Sequence, residues 1–357
     1  MDNQRLLIWA FFLLMGWMTW QTWQQDYGPK PVQPAADTQD EIIAAPVETA
    51  DPAAGDGDLP AITEAATTDA APTALTAEPE AAAAPTAPVI NVSTDVFDIE
   101  ISTVGGTLQG AALNKYPVAK DRPDELVRLL DTGGKTFALV ESGVRAAGGA
   151  AEATHLVSFS APRATYELGD DDEIIVPLTW VDESGISVEK RYRFTRGSYH
   201  IDLEQVVRNG SATEWRGAEY ILLKRHLADV ERSMFDVESY SFKGPIVYDG
   251  DKSEKLDRDD LLDDGPYEYS AQGGWIGSIQ HHFVRAAVPA PDVDYRYTVS
   301  VSGDVATSTA IRRGVESVAP GASETFVTEL FIGPKLQDQM DDIDDSLKLT
   351  VDYGWLT

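Results

Sequence analysis

The sequence contains no cysteine and few basic residues. The absence of cysteine from 357 residues excludes a disulfide framework and any metal or redox chemistry at thiolates. Only 28 lysine and arginine residues stand against 59 aspartate and glutamate residues, and the net charge is −31. Because nucleic-acid binding needs clustered positive charge, the composition excludes a nucleic-acid partner. Since disulfides and thiolate metal sites are excluded, the folded part must be stabilised by burial of apolar residues.

Familiar catalytic and metal-binding motifs are also missing. The sequence has no G-x-S-x-G, P-loop or dinucleotide fingerprint. The acidic run at residues 249–265 lacks the phasing of a calcium loop and is predicted to be a solvated loop. The five histidines have no carboxylate partners at the spacing of a zinc site; they occupy positions 155, 200, 226, 281 and 282. We expect no catalytic, cofactor-binding or metal-binding residue, and a protein that is not an enzyme.

One long uncharged stretch, residues 6–23, lies near the amino terminus. At about 1.5 Å per residue, a helix of this length spans a hydrocarbon core of about 30 Å. The small-x-small cleavage site of a signal peptide does not follow it, so residues 1–24 are predicted to be an uncleaved transmembrane anchor. Arg5 precedes the stretch and acidic residues follow it. Since positive charge stays on the cytoplasmic side, the amino terminus is predicted inside and the rest outside.

Residues 25–92 are rich in alanine, proline and acidic residues, and aromatic residues are missing after Tyr27. Such a segment buries too little apolar area to offset the entropy lost on ordering. We therefore expect a disordered acidic linker.

Alternating apolar and polar residues begin after the linker. Phe97, Ile99 and Ile101 fall on one face of a predicted strand. Short strands with turn signals about every ten residues predict an antiparallel β-sandwich over residues 93–333.

Two hairpins are predicted within this domain. Alternating runs flank the turn residues 182–185, Asp-Glu-Ser-Gly, which is typical of a β-hairpin. The same pattern predicts a second hairpin across Asn209 and Gly210.

The last part of the chain, residues 334–357, has helical periodicity. Leu336, Met340, Ile343 and Leu347 step by four, three and four residues and form one apolar stripe, opposite a face rich in aspartate. We predict one amphipathic helix over residues 335–346. Its stripe packs either on the sandwich or on a partner.

Four collinear stretches resemble the YidC membrane protein insertases of Gram-negative bacteria. They read MDNQRLLIWAFFLL, TDVFDIEISTVGGTLQGAALNKYP, GGWIGSIQHHFVRAAVP and FIGPKLQDQMDDIDDSLKLTVDYGWLT. The residues that identify the family are Gly105, Gly106, Gly273, Gly274, Trp275, Phe283, Tyr353, Gly354 and Trp355.

The resemblance implies a mainly β fold: a periplasmic antiparallel β-supersandwich with a short C-terminal helical region, preceded by a transmembrane helix and a linker. It implies the bacterial inner membrane as location, with a cytoplasmic amino terminus and the bulk of the chain periplasmic. The family inserts and folds inner-membrane proteins, alone or with the Sec translocon, without a cofactor.

The partners implied are Sec translocon components, nascent inner-membrane proteins and, through residues 6–23, the lipid bilayer. The helices of the family's insertase core are absent from this sequence. We therefore expect either a fragment or a truncated gene product. An alternative function is a carbohydrate-binding or mutarotase-like module on the same sandwich, because a fold alone does not determine function.

Overall fold

The structure is a computed structural model that describes residues 59–62, 88–227 and 242–351. The predicted membrane anchor at residues 6–23, most of the linker, and Tyr353, Gly354 and Trp355 lie outside these ranges. Among the helices in the described ranges, none is long and apolar enough to cross a bilayer.

The first of two sheets has eleven strands, and its main path runs β13-β16-β17-β10-β5-β3-β2-β1-β6. Strand β4 pairs with β3, and β18 pairs with β10. Neighbours pair antiparallel except β1 and β6, which are parallel. The strands are β1 Val89–Ser93, β2 Phe97–Ser102, β3 Leu108–Ala119, β4 Arg122–Leu130, β5 Ala138–Ala146, β6 Thr165–Glu167, β10 Trp215–His226, β13 Tyr267–Gln272, β16 Asp294–Ser302, β17 Val305–Arg312 and β18 Glu316–Val318.

The second sheet has eight antiparallel strands in the order β12-β11-β14-β15-β19-β9-β8-β7. Side chains from both sheets form one large apolar core between them, which is the sandwich predicted from the sequence. The strands are β7 Glu173–Val181, β8 Ile186–Thr195, β9 His200–Asn209, β11 Gly244–Tyr248, β12 Ser253–Lys255, β14 Trp275–Ile279, β15 Phe283–Pro289 and β19 Ser323–Pro334.

Alternation places the apolar residues of the first strands in the core. Phe97, Ile99 and Ile101 of β2 are buried, as predicted, whereas Asp98 between them is exposed. Strand β1 alternates in the same way and pairs along its length with β2. The predicted boundary at 93 therefore falls at the end of the first strand, not before it.

The hairpin predicted around residues 182–185 is confirmed. Strands β7 and β8 pair throughout, with Val181 opposite Ser187. The Asp182 carboxylate accepts a hydrogen bond from the Ser184 amide at 2.8 Å, and Gly185 adopts φ = 94°, a conformation that glycine adopts at little cost. The turn residues thus define the hairpin.

The hairpin predicted across Asn209 and Gly210 is wrong. Strand β9 pairs with β8 and β19, so both of its edges are occupied, and β10 lies in the other sheet. The Asn209 amide donates to the carbonyls of Thr213 and Val318 at 2.7 and 2.8 Å. These bonds hold a crossover between the sheets.

The acidic run at residues 249–265 is more ordered than predicted. It contains β12 and a helix, α1 Arg258–Asp263. Leu256 and Leu261 are 7% and 6% exposed, because they anchor this run on the core while its acidic side chains face solvent.

The single helix predicted over residues 335–346 is divided into two short helices. The first, α2, spans Gln337–Asp341, and a 3₁₀ helix spans Asp345–Thr350. Acidic side chains are unfavourable at a helix C-terminus and favourable at an N-terminus. Asp344 accordingly caps the second helix by accepting from the Ser346 amide at 2.7 Å.

Candidate functional site

The first glycine pair identified from the sequence forms a turn that approaches the second sheet. Gly105 and Gly106 have φ angles of 69° and 62°, and a Cβ on Gly105 would lie 2.4 Å from the His155 carbonyl oxygen. The Gly105 carbonyl accepts from Lys190 Nζ at 2.6 Å, and the Gly106 carbonyl accepts from the Tyr192 hydroxyl at 2.6 Å. This pair therefore joins the two sheets through buried polar contacts.

Lys190 is a fully buried basic residue in the middle of the sandwich. Its ammonium donates to the Gly105 carbonyl and to the carbonyl and hydroxyl of Ser142, at 2.6, 2.7 and 2.8 Å. Burial lowers the pKa of Lys190 to about 7, and the nearby Glu141 opposes that shift. Since an ammonium has three donors and all are used, this lysine is a structural element of the core.

The second glycine pair leads into the tryptophan that connects the sandwich to the C-terminal region. The carbonyl of Gly273 accepts from the hydroxyl of Tyr297, and Gly274 has φ = 81°. Trp275 is 0% exposed, and its Nε1 donates to the Ser346 hydroxyl at 2.8 Å. The Gly-Gly-Trp motif thus holds the 3₁₀ helix on the sheet.

The apolar stripe of the C-terminal region is divided between the core and the surface. Met340 and Leu347 are 0% exposed and belong to the main core. Ile343 packs partly against it, while Leu336 is 39% exposed. The stripe thus packs mainly on the sandwich, and its first residue, Leu336, is its most exposed member.

Leu336 lies on an apolar groove of about 670 Å³. The groove lies between the β3–β4 hairpin, the β14–β15 turn and the start of the C-terminal region. Tyr116 and Phe283 form part of it, with ring centroids 5.7 Å apart in an edge-to-face contact. The lining residues are Tyr116, Pro117, Val118, Val127, His281, His282, Phe283, Pro334, Lys335, Leu336 and Val351.

The polar residues of the groove lie together at one place on its lining. His281 and His282 are exposed, with ring centroids 4.0 Å apart, and the Lys335 amide donates to the His282 carbonyl at 3.0 Å. Val118 is 48% exposed. An exposed apolar concavity with polar residues at one side suits the binding of apolar side chains. Phe283, one of the residues that carry the family resemblance, is half-buried here and packs against the edge of the core.

Two buried acidic clusters lie in the first sheet. Glu219 accepts from the Tyr295 hydroxyl at 2.5 Å, and Arg312 Nη1 is 4.0 Å away. Burial raises the pKa of Glu219 to about 7, against the effects of Tyr295 and Arg312. In the second cluster Glu141 lies 2.9 Å from Lys224 Nζ and 3.8 Å from His155 Nε2.

One group of side chains has the donor set of a metal site. Ligand atoms of His200, Asp202 and Glu329 lie within 4.8 Å of one another, because Glu329 is directly opposite Asp202 on β19. Arg193 Nε lies 3.9 Å from the Asp202 carboxylate and supplies positive charge there. Sequence spacing could not reveal this cluster, since only strand pairing brings Glu329 to it. The expected absence of a metal site stays a prediction.

A short part of the linker contacts the first sheet, which was not predicted. Leu59 and Ile62 pack on an apolar platform formed by Tyr220, Leu222 and Ile311, separate from the main core. The carbonyl of Pro60 accepts from Arg145 Nη1 at 3.1 Å, and that of Ala61 accepts from Arg296 Nη2 at 2.5 Å. We call residues 59–62 the docked segment.

The comparisons with known proteins agree with this architecture. Residues 89–357 match the family model of the YidC periplasmic domain. The chain therefore belongs to this family of β-sandwich domains.

The relatives that the chain matches are named as membrane protein insertases of bacteria. The chain is 35% identical over its whole length to a membrane protein insertase YidC of Nitrosococcus oceani, and 37% identical to one of Methylococcus capsulatus. It spans 63% and 62% of their lengths. The names of these relatives describe insertases and not enzymes.

Solved structures of other families are similar only in outline. A galactose mutarotase-like protein from Lactobacillus casei aligns with a TM-score of 0.45 and 12% identity, over 68% of this chain and 99% of that protein. An α-galactosidase from Geobacillus stearothermophilus aligns with a TM-score of 0.40 and 10% identity, over 69% of this chain and 40% of that protein. Identities and TM-scores this low do not indicate a shared function.

Proposed function

We propose that the chain is the anchored periplasmic part of a membrane protein insertase, and that its groove contacts hydrophobic segments of inner-membrane proteins during their insertion. The observation that supports this role most directly is the match to insertases along the whole chain, combined with an open apolar groove on the periplasmic domain.

The position of the groove supports contact with segments near the bilayer. Val351 lines the groove and is followed by Asp-Tyr-Gly-Trp at residues 352–355. The family resemblance takes the chain into the membrane beyond this point, and tryptophan and tyrosine favour the membrane interface. A groove beside that exit would lie close to the part of a substrate that emerges from the bilayer on the periplasmic side.

The expected topology has a cytoplasmic amino terminus and a periplasmic sandwich. Arg5 before the predicted anchor and the acidic linker after it support this orientation. Action together with the Sec translocon, assistance in folding, and action without a cofactor or covalent chemistry belong to the same proposal. Sugar binding or mutarotation, the alternative function, has no observation in its favour among the residues that the structure describes.

Site-specific photocrosslinking tests the role of the groove. A photoreactive amino acid replaces Val118, which is 48% exposed in the groove, or Val181, which is 67% exposed at the end of β7. Each variant is expressed in the full insertase, in cells that translate a stalled inner-membrane protein with a single hydrophobic segment.

We expect the Val118 variant to form an adduct with the stalled chain, and the Val181 control to form little. The adduct should disappear when serine and glycine replace the hydrophobic segment of the substrate. Equal adducts at both positions, or none at Val118, would contradict the proposal.

A further inference from the structure

The platform on the first sheet presents an apolar surface to the docked segment. A Cβ on Gly143 of β5 would lie 2.6 Å from the hydroxyl oxygen of Tyr220 on β10. Glycine at position 143 therefore leaves room for the tyrosine ring. The Tyr220 hydroxyl is held by the amide of His155 at 3.0 Å and lies 2.8 Å from His155 Nδ1. The ring of Tyr220, held in this way, forms a fixed apolar surface together with Leu222 and Ile311.

Two arginines stand on opposite sides of the platform. In the sheet order β16-β17-β10-β5, Arg296 belongs to β16 and Arg145 to β5. Arg145 is held in place by Glu152, whose carboxylate accepts from its Nε at 2.9 Å. The consecutive carbonyls of Pro60 and Ala61 accept hydrogen bonds from Arg145 and Arg296 respectively. The arginines thus bind backbone groups, which any extended peptide possesses.

The docked segment places two large aliphatic side chains, three residues apart, on this surface. Leu59 and Ile62 pack on the platform while Ala61 is exposed. Such a three-residue spacing matches a polyproline II helix, which proline at position 60 favours and which loses little entropy on binding. Other linker tetrapeptides with proline in second place, such as Ala-Pro-Thr-Ala at residues 71–74, lack the two large aliphatic side chains.

We propose that the platform and its two arginines form a binding site for an extended peptide of the pattern Leu-Pro-x-Ile, and that the chain's own segment at residues 59–62 occupies this site. The segment acts as an intramolecular ligand, held at the high effective concentration that a covalent link provides. A free peptide of the same pattern competes for the site only when the segment is released. The site does not depend on the insertase role.

The test uses the whole chain in detergent micelles. The release variant carries Leu59→Asp and Ile62→Asp, and the matched control carries Ile43→Asp and Leu75→Asp at other linker positions. Because the sequence has no cysteine, a nitroxide at Ala61→Cys reports the motion of the segment alone. The nitroxide spectrum should sharpen in the release variant and stay broad in the control.

A labelled peptide of residues 56–64 then probes the vacated site. We expect it to bind the release variant roughly tenfold more tightly than the unmodified chain, whereas a peptide of residues 68–76 binds neither. Arg296→Gln in the release variant should weaken binding several-fold. Equal nitroxide motion in the release variant and the control, or binding of the peptide to both chains equally or to neither, overturns the proposal.

Discussion

Two segments at the borders of the sandwich are attached to it in different ways. The C-terminal region sends Met340 and Leu347 into the main core, where both are 0% exposed. The docked segment instead lays two partly exposed side chains on the outside of the first sheet and donates no side chain to that core. The first attachment is therefore part of the folding unit, whereas the second is a surface contact, which we expect to open while the domain stays folded.

The largest expected effect comes from breaking the first attachment. Leu347→Ala should lower the free energy of unfolding by about 2–5 kcal/mol, because it removes a fully buried side chain and leaves a cavity. Urea unfolding of the chain in detergent measures the change. Leu349→Ala in the same 3₁₀ helix is the matched control, since Leu349 is 45% exposed. Equal effects at the two positions would show that the C-terminal region is not part of the core.

A pH-dependent effect is expected from Glu219, which precedes the platform residue Tyr220. Its folded-state pKa of about 7 lies above the ordinary value of 4.5, chiefly because of burial. Stability from its protonation is therefore fully present below pH 4.5 and is lost as the pH rises through 7. Glu219→Gln keeps an acceptor for Tyr295 and removes the buried charge, so it should stabilise the domain by roughly 1–3 kcal/mol at pH 8.

Urea unfolding at pH 4.5 and pH 8 checks this sign. The stabilisation by Glu219→Gln should nearly vanish at pH 4.5, where the native carboxyl is protonated as well. A substitution that destabilises the domain equally at both pH values would contradict the raised pKa. The nitroxide on Ala61 should be unaffected, because Glu219 lies on the core side of β10.

A smaller effect is expected from the contact between β14 and the 3₁₀ helix. Ser346→Ala removes the acceptor for Trp275 Nε1 and should cost about 1 kcal/mol. Trp275→Phe should cost somewhat more, since it also leaves space in the core. Both should increase hydrogen exchange over residues 337–350, and the double variant should cost less than the sum of the two. Additive costs would show that the hydrogen bond contributes nothing.

The smallest effect on global stability is expected at the docked segment. Leu59→Ala should change the free energy of unfolding by less than about 0.5 kcal/mol, as is usual for a surface position. Its consequence is local and appears as increased motion of a nitroxide at Ala61. A large loss of global stability would instead make the segment an integral part of the fold.

The sequence revealed those parts of the fold that depend on neighbouring residues. Alternation identified the buried face of β2, and the turn residues 182–185 identified the β7–β8 hairpin. The Asn209 turn has the same local chemistry as a hairpin, but both edges of β9 are occupied by strands β8 and β19. Only this pairing, set by distant parts of the chain, sends β10 to the other sheet.

The candidate sites were harder to predict for the same reason. The apolar stripe of the C-terminal region was recognisable, yet its period could not show that one helix would end at Asp341 and that Asp344 would cap a second. The docked segment contacts Arg145 and Arg296 across most of the domain's sequence. Its surroundings are alanine-rich and acidic, so composition placed it in a disordered linker. The groove likewise joins residues from separate hairpins.

The hydrogen bond between Trp275 and Ser346 also has a mechanical consequence. A pull on the polypeptide after Val351 would reach the 3₁₀ helix first, and from there it would pass along the backbone to β19 and through the Trp275–Ser346 hydrogen bond to β14. That strand is hydrogen-bonded on both edges, to β11 and β15, so the tension is spread over three strands. A force applied at the end of the domain is therefore resisted by several paired strands and not by one strand alone.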